Sequence, residues 1–184
     1  MERKLCLVLA DGVEEIEAVA ALDILRRADL RVLSAAVGES ATVRGAHGIS
    51  LGADILFKNV AAEEFDGLIL PGGPASFGLR GNMALRELVQ KMQKKFLAAI
   101  CAAPLILLDA GVLEGRRHTA YPSLSELPLA EPVAVVADGN LITGRGPAAA
   151  IPFALAIVRH FAGKDRAERI AQALCAVNPG QTPS

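Results

Sequence analysis

Cys101 is the residue of this 184-residue chain whose setting most strongly suggests chemistry. It lies between the apolar stretch Phe96 to Ile100 and the helix-like stretch Ala102 to Ala110, so a buried strand passes into a helix through a single residue. Such a turn is tight and needs small neighbours, and here they are Ala98, Ala99, Ala102 and Ala103. This is the arrangement of a nucleophile elbow with Cys in place of Ser. At a helix start, free N–H groups and the positive end of the dipole favour a thiolate, so the position predicts a thiol pKa below the free value of about 8.5. An inert buried cysteine is the alternative for the residue taken alone.

Gly72 and Gly73 follow the short apolar run Gly67 to Leu70. Two glycines after a buried strand let backbone N–H groups turn outward, and with the Ala102 N–H they could form an oxyanion hole beside the sulfur. A simple turn is the other reading, and no Gly-Lys-Ser/Thr follows that would make a phosphate loop. Glu17 shares a helical face with Ala21, Ile24, Leu25 and Ala28. A carboxyl on that face is desolvated, its pKa rises, and its neutral form can donate to a thiolate. Reaching out to water, or pairing with an arginine, is the alternative. Glu14 and Glu15 read as capping and solvent-facing residues.

His47 falls in a glycine-rich insertion, His118 precedes a short strand-like segment, and His160 sits beside Arg159 on a late helix at the surface. None adjoins Cys101 in sequence. The cysteines, Cys6, Cys101 and Cys175, are odd in number and far apart, with no C-x-x-C, which argues against a disulfide framework or a zinc knuckle. No metal or organic cofactor is expected.

Positioning these residues requires alternating elements. Lys4 to Ala10 and Arg31 to Val37 read as strands flanking a helix that runs to Ala28, with Asp11 and Glu14 as a capping-box-like start. Thr42 to Asp54 reads as a small hairpin. Asn82 to Lys95 reads as an amphipathic helix, and His118 to Tyr121 as a strand. Pro132 to Val136 and Asn140 to Thr143 read as a hairpin around Ala137-Asp138-Gly139, followed by helices over 147–162 and 165–177. This alternation predicts an α/β fold with a mostly parallel sheet and helices on both faces. Ligands then bind at the carboxyl ends of the strands, where Asp11-Gly12, Pro71-Gly72-Gly73 and Ile100-Cys101-Ala102 converge. One domain over 1–177 and a frayed tail over 178–184 account for the chain.

Composition narrows the function. Nineteen basic against twenty acidic residues give a net charge of −1, which disfavours nucleic acid or an anionic membrane as the main partner. Trp is absent and there is one Tyr, so base-stacking platforms are not expected. The run from Phe96 to Leu108 is short for a bilayer and contains Pro104, and the first residues lack a signal-peptide pattern. The expected location is the cytoplasm.

Four motifs occur in order along nearly the whole chain: Ala10-Asp11-Gly12-Val13-Glu14-Glu15-Ile16-Glu17, Leu70-Pro71-Gly72-Gly73, Ala99-Ile100-Cys101-Ala102-Ala103-Pro104 and Thr143-Gly144-Arg145-Gly146-Pro147. In this the chain resembles the ThiJ/PfpI superfamily, and within it the group of the parkinsonism-associated protein deglycase. The resemblance implies a flavodoxin-like three-layer sandwich that forms homodimers. It implies Cys101 as an easily oxidised nucleophile, Glu17 as a protonated partner, and Gly73 and Ala102 as oxyanion donors. It places Arg145 and Pro147 in a loop approaching the site. Ala102 stands where the protease-like branch has His, which disfavours peptidase activity. Tyr121, before Pro122, stands where the deglycase group often has His.

The expected function is cofactor-independent glyoxalase or deglycase chemistry of Cys101 and Glu17 on methylglyoxal, glyoxal, or a glycated thiol or amine. The alternative is an oxidative-stress sensor or redox-regulated chaperone using the same cysteine.

Overall fold

The computed structural model describes residues 3–176, so Val177 and the tail expected over 178–184 lie outside the described residues. The chain runs β1 (Lys4–Leu9), α1 (Glu15–Arg27), β2 (Arg31–Ala36), β3 (Thr42–Arg44), β4 (Ser50–Gly52), β5 (Ile55–Leu56), β6 (Gly67–Leu70), α2 (Ala75–Leu79) and α3 (Met83–Met92). It continues with β7 (Phe96–Ile100), α4 (Pro104–Asp109), β8 (Val135–Asp138), β9 (Leu141–Gly144), α5 (Ala150–Ala162) and α6 (Lys164–Ala173). Seven strands form one sheet in the order β5-β2-β1-β6-β7-β9-β8, and β3 pairs with β4 in a separate hairpin. Every neighbouring pair in the large sheet is parallel except β8 with β9.

The sequence pattern accounts for this layout. β6 and β7 are buried at every residue and β1 at all but the first, as continuous apolar runs must be when helices cover both faces. On one side α1 packs on α5 and α5 on α6; α2, α3 and α4 pack among themselves on the other. The result is the expected three-layer α/β sandwich. After β1 the chain goes first to β2 on one side and later to β6 on the other. The carboxyl ends of β1 and β6 therefore part at a topological switch point, the place where open α/β sheets bind ligands.

Three expectations are corrected. His118 to Tyr121 is not a strand. The β7 edge it would need is occupied by β9, and the segment is held by single bonds: Thr119 N–H donates to Thr143 Oγ1 at 2.9 Å and Tyr121 N–H to the Cys101 carbonyl at 2.9 Å. The capping box at α1 is absent. Glu14 is the N-cap without a side-chain bond, and Asp11 instead accepts the Arg44 N–H at 2.8 Å. Glu14 and Glu15 are not solvent-facing but buried, at 8% and 5% exposure.

Thr143 is fully buried, and its hydroxyl anchors the segment that carries Tyr121. Thr143→Val leaves the Thr119 N–H without its acceptor and is expected to destabilise the protein by about 1–3 kcal/mol. Urea unfolding of the two proteins measures the difference.

Candidate active site

β7 ends at Ile100, and Cys101 takes the left-handed conformation with φ 63°. For a residue with a Cβ this costs roughly 1–2 kcal/mol, and it is the strained turn expected of an elbow. The turn is pinned on both sides: the Cys101 N–H donates to the Gly144 carbonyl at 2.9 Å, and the Cys101 carbonyl accepts from Tyr121. Cys101 is 8% exposed.

Glu17 lies in the first turn of α1 and is fully buried, together with Ala21, Ile24, Leu25 and Ala28 on the face anticipated for it. Its Oε2 accepts the Gly72 N–H at 2.7 Å, while Oε1 has no hydrogen-bond partner. Gly72 is the hinge of the arrangement. A Cβ there would stand 2.6 Å from Cys101 Cβ and 2.8 Å from Glu17 Oε2, so only glycine lets the carboxyl and the thiol approach across it. Gly73, at φ 93°, turns its N–H toward the sulfur, and the Ala102 N–H does the same.

Burial pushes the Glu17 carboxyl up to about 7, against its hydrogen bond from the Gly72 N–H and the nearby thiol. Burial and then the Glu17 charge push the Cys101 thiol up to about 12, against the nearby N–H groups of Gly73 and Ala102. The expected lowering of the thiol by a helix start is thus not what this site produces. α4 begins only at Pro104 and has six residues, so its dipole is weak where the sulfur lies. The two groups titrate as a pair. Their first proton leaves near pH 7; the second must leave a site already negative.

Cys101, Glu17, Gly72, Gly73 and Ala102 are therefore brought together. Tyr121, Arg145 and Pro147 line a neighbouring cleft of about 410 Å³ with Pro122, Ala134 and Gly146. Tyr121 is 46% exposed, and Arg145 is half-buried with no side-chain hydrogen bond or ion pair among the described residues. His118 is buried and turned away, its Nδ1 2.9 Å from the Arg116 carbonyl. Gly144, whose carbonyl holds the elbow, was not singled out in the sequence as a site residue. The packing that makes it necessary, with a Cβ there 2.8 Å from Ile100 Cδ1, exists only between strands.

Residues 3–160 match the model of the DJ-1/PfpI family. The chain belongs to this family. As a family member it is 35% identical over 182 residues to protein dj-1beta of Drosophila melanogaster, covering 95% of this chain and 97% of that one. It is 36% identical over 152 residues to a deglycase of Pyrococcus horikoshii, covering 79% and 91%. The structure of oxidized DJ-1 from Toxoplasma gondii superposes with a TM-score of 0.90 at 32% identity, covering 96% and 100%. The family fold is thus present over nearly the whole chain, consistent with the flavodoxin-like sandwich expected from the motifs. No helix among the described residues is long and apolar enough to cross a membrane.

Glu17, with its pKa raised from 4.5 to about 7, favours the folded state fully below pH 4.5, and that contribution is lost as pH rises to about 7. The stability of the wild type relative to Glu17→Gln is therefore expected to fall by about 3 kcal/mol between pH 4.5 and 8. Denaturant melts at several pH values check this; a difference independent of pH contradicts it.

Proposed function

We propose that this family member converts 2-oxoaldehydes such as methylglyoxal and glyoxal, free or as adducts of thiols and amines, to hydroxy acids with Cys101 as nucleophile. The observation that carries this reading is the meeting of the Cys101 sulfur and the buried Glu17 carboxyl across Gly72, with the Gly73 and Ala102 N–H groups on the sulfur's flank. A site that admits one negative charge is poised to move one proton. In the reactive form the thiolate carries the charge, supported by two backbone donors and the carboxyl, and Glu17 holds the proton.

The sulfur adds to the aldehyde carbon, and Glu17 protonates the oxygen that becomes negative, giving a hemithioacetal. The Glu17 carboxylate then takes the proton from that carbon, the hydroxyl proton passes to the ketone oxygen, and the proton on Glu17 returns to the former ketone carbon, by way of an enediolate. The aldehyde carbon is oxidised and the ketone carbon reduced, so no external redox partner is needed. The resulting thioester is hydrolysed by water to the hydroxy acid and the free cysteine. The step draws on no cofactor or metal. With Ala102 after the nucleophile, peptide hydrolysis lacks the histidine that would serve it.

Tyr121 is the weak point of this machinery. A phenol is a poor base at neutral pH. Lactate formation from methylglyoxal is expected in the wild type and lost in Cys101→Ser. Tyr121→His is expected to raise kcat with little change in KM, because a general base acts in the transition state and contributes up to about 10²–10⁴-fold. Absence of lactate from the wild type overturns the reading. The exposed Tyr121 in place of a histidine then favours the second one, a redox sensor or chaperone in which peroxide converts Cys101 to a sulfinate beside Glu17.

The protein is further proposed to act in the cytoplasm as a homodimer, without nucleic-acid or membrane partners. The exposed apolar side chains Ile16 and Val19 of α1 and Ile49 of the β3–β4 hairpin support pairing with a second copy. Light scattering is expected to give twice the 19.2 kDa chain mass, and Ile16→Glu with Val19→Glu a monomer. A monomeric wild type contradicts this.

A further inference from the structure

The β3–β4 hairpin is stapled over the start of α1. The Gly12 N–H donates to the Arg44 carbonyl at 2.7 Å and the Ala46 N–H to the Val13 carbonyl at 2.9 Å. The His47 N–H donates to Glu15 Oε1 at 2.7 Å. Gly45 lies so close that a Cβ on it would stand 2.2 Å from the same oxygen. These contacts bring the His47 ring against two adjacent buried carboxylates. Its Nδ1 is 3.0 Å from Glu15 Oε2 and 3.7 Å from Glu14 Oε2.

The Glu15 carboxylate is well served by this hairpin, but that of Glu14 is not. More than nine-tenths of Glu14 is buried, yet its carboxylate accepts no hydrogen bond among the described residues and points at His47 Nδ1. A buried carboxylate without a donor is costly unless a cation faces it. Lys and Arg pair with neither glutamate among the described residues; the basic group that does is the His47 imidazole. The proposed oxoaldehyde chemistry uses none of these three side chains.

We propose that Glu14, Glu15 and His47 form a binding site for a divalent transition-metal ion, with zinc the best match. One donor atom from each residue lies within 4.8 Å of the other two. Zinc bonds of 2.0–2.1 Å to nitrogen and oxygen set tetrahedral donors about 3.3 Å apart. The His47 side chain is largely exposed, so its ring can swing toward an ion held by the two carboxylates. One imidazole and two carboxylates suit zinc better than calcium or magnesium, which prefer all-oxygen shells, or copper(I), which prefers sulfur. The fourth position is not filled by this chain and takes water. All three ligands come from one chain, and the hairpin staple holds them in place before the ion arrives.

Titration calorimetry with zinc chloride in a buffer that does not chelate is expected to show one ion per chain. His47→Ala and Glu14→Gln, each checked for an intact fold by circular dichroism, are expected to weaken binding at least about 10-fold, while Cys101→Ser binds as the wild type does. Cobalt(II) added to the wild type should give ligand-field bands without a thiolate charge-transfer band. No binding, unchanged affinity in either variant, or a thiolate band whose loss follows Cys101→Ser overturns the assignment. None of these readouts depends on catalysis, so the test is separate from that of the proposed function.

Discussion

Cys101 and Glu17 share a largely buried volume that tolerates one negative charge but not two. The features around them serve this constraint. α1 carries Glu17 inward on an alanine- and leucine-lined face, so the carboxyl is stripped of water. β6 ends in two glycines, the first leaving room between carboxyl and sulfur and the second turning a donor toward the sulfur. β7 stops at the one residue where the chain must reverse. The strand order β2-β1-β6-β7 brings these three chain ends side by side, and a different order would scatter them.

Much of this was legible in the sequence, for local reasons. β6 and β7 were found at their observed limits because fully buried parallel strands are uninterrupted apolar runs, bounded here by Asp66 and Pro71 and by Lys95 and Cys101. Glu17 was legible because helical periodicity alone places it among Ala21, Ile24 and Leu25. Cys101 was legible because a strand and a helix separated by one residue leave the chain no relaxed conformation.

What could not be read is what arises between segments distant in sequence. His118 to Tyr121 has a strand-like composition, yet β9 takes the edge it needs. Glu14 and Glu15 look like ordinary helix-start acids, and only the hairpin some thirty residues later covers them. A helix dipole would lower the sulfur's pKa, whereas burial first and then the neighbouring carboxyl push it up. In each case local pattern supplied the element, and packing against a remote partner decided its environment.

The backbone at residue 101 bears on how such a protein tolerates mutation. A glycine there would occupy the same left-handed conformation without a Cβ to crowd the following carbonyl. As far as backbone strain is concerned, glycine is therefore the more relaxed residue at this position. Selection for thermal stability alone would drift toward the loss of the sulfur. A laboratory screen that rewards robust expression without reading the thiol would then discard the reactive atom first and keep the scaffold intact.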